Sequence, residues 1–307
     1  MNTSVGLVST TSFRVPKPGL DVVFGPARCG APGARDDAAR SVADAADEVE
    51  LLKTELASSI ISEQEAYTSL HRLEVQVLDR PSVPQAETAT LASVTPISAA
   101  TDGGAPAATV ASREADLDAW WDALCGNDPE VVLHHLTTVF ATSPLSAAPV
   151  RLRGRVLDLA VLIPAQHLLP RQTVGLYGGQ LSIRTASAAH LAWLHRQVVA
   201  GLALAAARQA LASAPGVSCV RVHALSAEHR GHHDDVSAMA VVQLDRDAVE
   251  RADLTLDAET LLILHGRGLL WQTGGLHTSL QALPLSDIPT LAPLLARLCQ
   301  TAAAAPA

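Results

Sequence analysis

The chain has 307 residues, a mass of 32.0 kDa and a formal net charge of −9 at pH 7. Its hydrophobic content of 48% excludes wholesale disorder, and its net charge argues against affinity of the whole chain for nucleic acid. The longest uncharged apolar run, residues 198–207, has about half the length that a membrane span needs. The cysteines form no C-x-x-C pair and no apolar leader is present, so we expect a cytoplasmic protein without membrane contact.

Residues 1–35 contain one strand-like stretch at 19–25 and otherwise predict an irregular segment. Over residues 36–80, apolar residues recur at spacings of three and four, which is the a/d pattern of a coiled coil. Ser59 and Glu63 interrupt the pattern, and they either weaken the coil or shift its phase onto Ile60 and Ile61. Nine of the eleven a/d positions are apolar: Val42, Ala45, Val49, Leu52, Leu56, Ala66, Leu70, Leu73 and Val77.

This coiled-coil helix has two possible roles. The first is self-association through residues 42–77, which we favour because the segment is charged and a linker separates it from the rest. The alternative is an amphipathic helix packed on its own domain. The linker, residues 81–112, is rich in Pro, Ala, Thr and Ser and keeps no periodicity, so we predict it to be disordered and flexible.

A domain is predicted over residues 113–299, followed by an Ala-rich tail at 300–307. It opens with a short helix that has Trp120 and Trp121 on its apolar side. Asp128 is a credible N-cap for a second helix with Pro129 at its first position, and Ser143-Pro144 ends that helix.

Strand patterns begin near residue 150. Residues 150–163 predict a strand or a hairpin, and Gly178-Gly179 joins two short strands as a hairpin turn. Residues 187–214 predict a long Ala- and Leu-rich helix buried against a sheet. Further strands are predicted at 217–225 and 236–244, and short helices near 245–252 and 257–265. Because hairpins dominate and β-α-β alternation is irregular, we predict a two-layer α+β fold with hairpins packed on one long helix.

The charge of the chain is concentrated in blocks. Residues 36–80 and 81–149 each carry a net charge of −7, residues 150–230 carry +7, and residues 231–307 carry −5. The basic block can bind an anion or dock on the chain's own acidic segments.

Arg151, Arg153 and Arg155 are the most regular feature of the basic block. They recur at period two, so on a strand all three would project from one face. Such a face is a candidate for binding phosphate or another anion. The alternative, which we favour, is a solvated edge face or a face that pairs with the acidic segments. Because no aromatic residues are interleaved for base stacking, we predict that nucleic-acid binding by this face is weak.

A second cluster contains imidazoles and carboxylates within seven residues. His229, His232, His233 and Asp235 have the donor atoms that zinc, nickel or iron prefer. The cluster falls between two predicted strands, where a solvated polar turn is expected, and this is the interpretation that we favour.

The sequence offers little for an enzyme. It has no G-x-S-x-G elbow, no H-E-x-x-H and no phosphate-binding loop. Asp158 could be the first acid of a metal-dependent nuclease, but the next strand, residues 180–184, supplies neither an acid nor a lysine. The only two lysines, Lys17 and Lys53, lie outside the α+β part. No catalytic residue and no cofactor is therefore predicted.

Five segments of the chain have a characteristic order and spacing. They are 127–136 (NDPEVVLHHL), 143–144 (SP), 194–211 (LHRQVVAGLALAAARQAL), 217–223 (VSCVRVH) and 244–254 (LDRDAVERADL). Together they resemble an uncharacterised bacterial module in which a charged coiled coil precedes a helical segment and a small α/β domain. In some members this module accompanies a Mrr-type restriction endonuclease domain. The module's usual polar and aromatic positions before the long helix are Ala and Gly here, and no endonuclease domain follows, so the resemblance implies no catalytic residues.

These observations favour a non-catalytic, coiled-coil interaction or scaffold protein, and the resemblance implies a setting in DNA defence or DNA processing. Two alternatives remain open. The first is a diverged nuclease or metal-dependent hydrolase that uses Asp158 and the His229–Asp235 cluster, and the second is a weak nucleic-acid binder that uses the arginine face.

Overall fold

The computed structural model describes residues 33–75, 77–80, 105–230, 233–284 and 288. The strand-like stretch predicted at 19–25 and the tail at 300–307 lie outside the described residues. The chain divides into two units, Met1–Leu52 and Lys53–Ala307, and the strands described below all belong to the second.

Helix α1 spans Gly33–Thr68, and one 3-10 turn at Leu70–Arg72 follows it. The apolar spacing predicts a helix as far as residue 78, but helix α1 ends ten residues earlier. In the segment that follows, Arg208 donates hydrogen bonds to the carbonyls of His71 (2.6 Å) and Leu73 (3.1 Å). These tertiary bonds stabilise a non-helical path that the a/d spacing does not predict.

Helices α2 (Ala105–Cys125) and α3 (Pro129–Thr142) come next. Helix α2 begins inside the predicted linker, since Ala-rich sequence favours a helix and Pro106 falls in its first turn, where no N–H donor is needed. The rest of that linker, 81–104, lies outside the described residues. Helix α3 has the predicted cap, because the Asp128 carboxylate accepts hydrogen bonds from the backbone N–H groups of two residues in its first turn.

Eight strands are present in the described part of the chain, and six of them form one mixed sheet in the order β1-β2-β5-β6-β7-β8. Neighbours in this sheet are antiparallel except β2 and β5, which are parallel. Strands β3 and β4 form a separate hairpin. The α+β class predicted from the sequence is confirmed. The strands span Ala147–Arg153 (β1), Val156–Ile163 (β2), Gln172–Tyr177 (β3), Gln180–Thr185 (β4), Cys219–Arg230 (β5), His233–Asp245 (β6), Gly266–Gly274 (β7) and Ser279–Gln281 (β8).

The parallel pair β2–β5 is joined by the β3–β4 hairpin and helix α4 (Ala188–Ser213). Gly178 and Gly179 have φ angles of 57° and 81°, which confirms the predicted glycine turn. Helix α4 packs on β2, β5 and β8, so its predicted burial against a sheet is confirmed. Small side chains let the helix approach the sheet closely. Its fully buried alanines are Ala192, Ala200, Ala203, Ala205, Ala206, Ala207 and Ala210.

The other side of helix α4 contacts the segment that follows helix α1. Gly201 makes this approach possible, because a Cβ atom there would lie 3.1 Å from the Leu70 Cβ and 3.4 Å from the His71 nitrogen. Arg72 then reaches across and donates to the carbonyls of Leu254 (2.8 Å) and Thr255 (3.0 Å).

No helix within the described residues is long and apolar enough to cross a membrane.

The predicted helices near the C-terminal end are present as α5 (Arg246–Glu250) and α6 (Ala258–His265). Strands β7 and β8 were not predicted. Strand β7 contains Arg, Gln, Thr and three glycines and stays exposed at most positions, so its apolar alternation is weak. Strand β8 has three residues, of which one is buried, and such a short strand gives no readable pattern.

Histidines occupy several buried positions of this fold. His71 and His195 are 1% and 2% exposed. Burial lowers the pKa of His71, His135 and His195 below the ordinary value of 6.5, because a charged imidazolium would lose its hydration. The folded chain therefore resists protonation at these sites.

We expect the free energy of unfolding to fall as the pH drops below 6.5. The histidines of the unfolded chain then bind protons, whereas the buried histidines of the folded chain stay neutral because their pKa is lower. The slope is at most about 1.4 kcal/mol per pH unit for each such histidine, and above pH 7 this contribution is flat. Urea unfolding at several pH values measures it. His195→Gln should reduce the slope, whereas His134→Gln, at an exposed position, should keep it. Equal slopes in all three proteins would contradict the assignment to His195.

Candidate anion-binding site

Asp158 is the one acid in the apolar strand β2, and its side chain is 5% exposed. Its neighbours Leu157 and Leu159 face helix α4, so alternation places Asp158 on the opposite face of the sheet. Arg151 on β1 donates to Asp158 Oδ2 from Nε (3.1 Å) and from Nη2 (2.6 Å). Arg221 on β5 donates from Nη1 to Oδ1 at 3.2 Å. One buried carboxylate thus holds two guanidinium groups.

These three residues belong to a row that crosses the sheet. The ladders pair Arg151 with Asp158, Asp158 with Arg221, Arg221 with Gln243, and Gln243 with Arg267. We call these five residues the polar row. Residues that lie opposite one another in a sheet share a face. The three arginines of the polar row are therefore on the face that helix α4 leaves open.

The Asp158 carboxyl stays ionised down to low pH. Burial alone would raise its pKa, but nearby His223 and the guanidinium groups of Arg151 and Arg221 outweigh burial and lower the pKa to about 2. The His223 ring is buried, and its Nε2 lies 3.8 Å from Asp158 Oδ1. A carboxylate with two arginine partners is a poor general base and a poor metal ligand, because its lone pairs are already engaged.

The three arginines singled out from the sequence have three different environments. Arg151 pairs with Asp158, and Arg153 is exposed at the end of β1. Arg155 is not on the strand, so the expectation that all three project from one face is wrong. The reason is a tight turn in which Gly154 has a φ angle of 56° and Arg155 follows. From this turn Arg155 Nε donates to the Gly216 carbonyl at 3.1 Å.

A cavity of about 430 Å³ opens at the end of the sheet beside this turn. Arg155 meets there three arginines that lie far away in sequence, Arg246, Arg251 and Arg267. Asp245 and Asp247 also line the cavity, so these six charged residues sum to a formal charge of +2. Ser218 and Ala248 are the other described residues of the lining. We call this space the arginine cavity.

The arginines of this cavity use only part of their donor capacity on the protein. Arg251 donates from Nε to the Asp247 carbonyl (2.9 Å), and Arg267 pairs through Nη1 with Asp245 Oδ2 (2.8 Å). Arg246 is the most engaged, since Nη2 donates to the Leu211 and Ala214 carbonyls at the end of helix α4 and, with Nε, to the Val217 carbonyl beyond it. Its Nη1 also pairs with Glu250 Oε1 at 3.5 Å. Within the described residues, Nη1 and Nη2 of Arg155 and of Arg251 have no hydrogen-bond partner.

Helix α1 is the second candidate site. Val49, Leu52 and Leu56 are 54%, 56% and 49% exposed, although they occupy consecutive a/d positions. We call these three residues the exposed stripe. From Ala57 onward the helix packs on its own domain, with Ala57 2% and Ile60 5% exposed.

The predicted metal cluster lies at the tip of the β5–β6 hairpin. The ladder continues to the pair Arg230–His233, so His229 and Asp235 belong to strands and not to the predicted turn. The side chains of His229, His233 and Asp235, and all of His232, lie outside what the structure describes. Among the residues it describes, no group of three His, Cys, Asp or Glu side chains could hold a metal ion.

Sequence reasoning missed most of the cavity and two members of the ion-pair network. Arg246, Arg251 and Arg267 are separated in the chain, and only the fold brings them to Arg155. Arg221 and His223 had a readable signal. They alternate with valines in β5, and Asp158 is a lone acid in an apolar strand, so each needed a buried partner.

No family model, no curated protein and no solved structure matches this chain. Its function is therefore inferred from the geometry of the arginine cavity, the polar row and the exposed stripe.

Proposed function

We propose that this chain is a non-catalytic interaction protein of the cytoplasm that pairs with a second copy of itself through helix α1. The observation that carries the proposal is the exposed stripe, Val49, Leu52 and Leu56, on one face of the helix. Burying half of each side chain against a copy would remove apolar surface from water, which is the main driving force for association.

Helix α1 packs on its own domain with one face and leaves another face to a second copy, and the two faces are shifted by one residue along the helix. The residues that contact the domain, Ala57, Ile60, Gln64 and Tyr67, lie one position after the a/d series. Gln64, for example, donates from Nε2 to the Gln172 carbonyl at 2.9 Å. The packing alternative of the sequence analysis therefore applies from residue 57 onward. Before it, the a/d positions that the structure describes are exposed and available to a partner.

The residue types favour a parallel, in-register dimer. With Val49 and Leu56 at a positions and Leu52 at d, the stripe combines a β-branched a residue with a leucine at d, a pattern typical of two-stranded parallel coils. In this register Glu48 is at a g position and Lys53 is at the following e position. A parallel partner brings Glu48 of one copy next to Lys53 of the other, so opposite charges flank the apolar stripe.

Two further observations bear on the cellular location and the biological role of the protein. Cys125 and Cys219 are free thiols, as expected in a reducing cytoplasm. The resemblance to a module that accompanies Mrr-type endonuclease domains favours a role in DNA defence or DNA processing. Direct nucleic-acid binding through Arg151, Arg153 and Arg155 should be weak, because Arg151 is held by Asp158 and Arg155 is turned away from the strand.

We expect the full-length protein to be a dimer at roughly 10 µM. The double variant Val49→Glu/Leu52→Glu should be a monomer, because the glutamates of the two copies would face each other in the interface and repel one another. Multi-angle light scattering measures the mass. Leu51→Glu is the matched control, since Leu51 is 60% exposed but lies off the a/d series. A monomeric wild-type protein, or equal disruption by Leu51→Glu, would contradict the proposal.

Orientation is tested separately by crosslinking. In a parallel, in-register coil, a d residue packs against its own counterpart, so Leu52→Cys should form a homodimeric disulfide on mild oxidation. Leu51→Cys, on the outer surface, should not. An antiparallel coil would leave both variants uncrosslinked.

A further inference from the structure

We infer that the arginine cavity is a binding site for a small hydroxylated phosphate ester of the sugar-phosphate class. This inference concerns a different part of the molecule from the proposed dimer and does not depend on it. It begins from the charge of the cavity, where Arg155, Arg246, Arg251 and Arg267 outnumber Asp245 and Asp247. Glu250 pairs with Arg246 at 3.5 Å, and the arginines remain in excess by one charge.

The donors for a phosphate group are already directed by the protein. Nε of Arg155 is fixed by the Gly216 carbonyl, and Nε of Arg251 by the Asp247 carbonyl. Each of these bonds holds one edge of the guanidinium plane and leaves the two terminal nitrogens as a pair. A pair of parallel N–H donors matches two oxygens of a phosphate, which is the geometry that makes arginine a phosphate-binding residue.

The acids of the cavity indicate what the rest of the ligand carries. Asp245 is paired with Arg267 at 2.8 Å. Within the described residues, the Asp247 carboxylate has no hydrogen-bond partner, although its backbone carbonyl accepts from Arg251. A bare anion would be repelled by that carboxylate. A ligand with hydroxyl groups beside its phosphate would instead donate to it, as sugar hydroxyls do.

The volume and the lining of the arginine cavity restrict the class of ligand further. The volume of about 430 Å³ is within the range of small-molecule sites. Among the described residues that line the cavity, Ala248 is the one apolar side chain and none is aromatic. A nucleobase would therefore find no stacking surface, whereas a phosphorylated sugar needs none. Since Arg155 and Arg251 are exposed, the affinity should be modest.

The test uses the full chain and ribose 5-phosphate as the probe, measured by isothermal titration calorimetry up to about 10 mM ligand. We expect saturable binding of ribose 5-phosphate and no binding of ribose. Arg155→Gln and Arg251→Gln should each weaken binding about tenfold, because each removes charge-assisted hydrogen bonds. Asp247→Asn should weaken ribose 5-phosphate relative to inorganic phosphate.

Arg153→Gln is the matched control, since it removes the same charge from an exposed residue that does not line the cavity. It should leave binding unchanged. Melting temperatures measured without ligand show that the variants are folded. The inference is overturned if wild-type protein does not bind ribose 5-phosphate, or if Arg153→Gln weakens binding as much as Arg155→Gln. A short DNA duplex that binds and competes equally with the sugar phosphate would also overturn it, because the site would then recognise any phosphate.

Discussion

Replacing Asp158 by Asn is expected to lower the free energy of unfolding by about 3 kcal/mol, since it leaves two guanidinium groups without their shared counter-ion. The value is at the lower end for a buried ion pair because Arg151 and Arg221 are 32% and 34% exposed and keep part of their hydration. Urea unfolding at neutral pH measures the change. Asp245→Asn breaks a pair whose arginine is 76% exposed, and it should cost less than about 1 kcal/mol.

The pH dependence of this variant provides an internal check. The pKa of Asp158 is lowered from 3.8 to about 2 in the folded chain, so its contribution is present above pH 3.8 and is lost as the pH falls toward 2. The difference between the wild-type protein and Asp158→Asn should therefore shrink over that interval. A difference that stays constant down to pH 2 would show that packing, and not charge, causes the loss of stability.

Replacing Arg246 by Ala is expected to lower the free energy of unfolding by about 3 kcal/mol, because helix α4 loses the donor for its last carbonyls. Arg246 Nη2 lies 2.8 Å from the Leu211 carbonyl, 3.0 Å from that of Ala214 and 2.7 Å from that of Val217. Its positive charge also interacts favourably with the C-terminal end of the helix dipole. Thermal and urea unfolding measure the loss.

Two further substitutions separate the causes. Arg246→Lys keeps the charge but loses the planar fork that reaches several carbonyls at once, so it should recover only part of the stability. Arg251→Ala removes an exposed arginine whose one hydrogen bond to the described residues is to the Asp247 carbonyl of its own turn, and it should change stability by less than about 0.5 kcal/mol. If Arg246→Lys recovered the full stability of the wild-type protein, Arg246 would stabilise the fold through its charge alone.

Local structure was largely readable from the sequence. Asp128 with Pro129, the Gly178-Gly179 turn and the Ala-rich helix α4 each have a short-range cause in their own residues, and the structure has all three. The path of the chain after helix α1 was not readable, because its carbonyls bind Arg208, a residue 135 positions away from Leu73. Strand β7 was missed because few of its side chains are buried.

The candidate sites show the same division. Arg151, Arg153 and Arg155 were found by their spacing, but their separate environments depend on a turn at Gly154 that period-two spacing alone does not reveal. The arginine cavity consists mostly of residues from β6, α5 and β7, and no sequence pattern connects these residues with Arg155. The exposed stripe was predicted as part of an a/d series, whereas its limit at Leu56 depends on how Ala57 and Ile60 pack against the domain.

The parallel contact between β2 and β5 has a consequence for how the molecule folds. Ile163 and Cys219 are separated by 55 residues, while β1–β2 and β5–β6 are hairpins of neighbouring strands. Closing a loop of that length costs about 3.5 kcal/mol of chain entropy, so each hairpin half can form quickly while their joining is slow. Asp158 binds Arg151 within one half and Arg221 across the seam. We therefore expect the docking of the two hairpins to be the slow step of folding, and the ion pair between Asp158 and Arg221 to form only at that step.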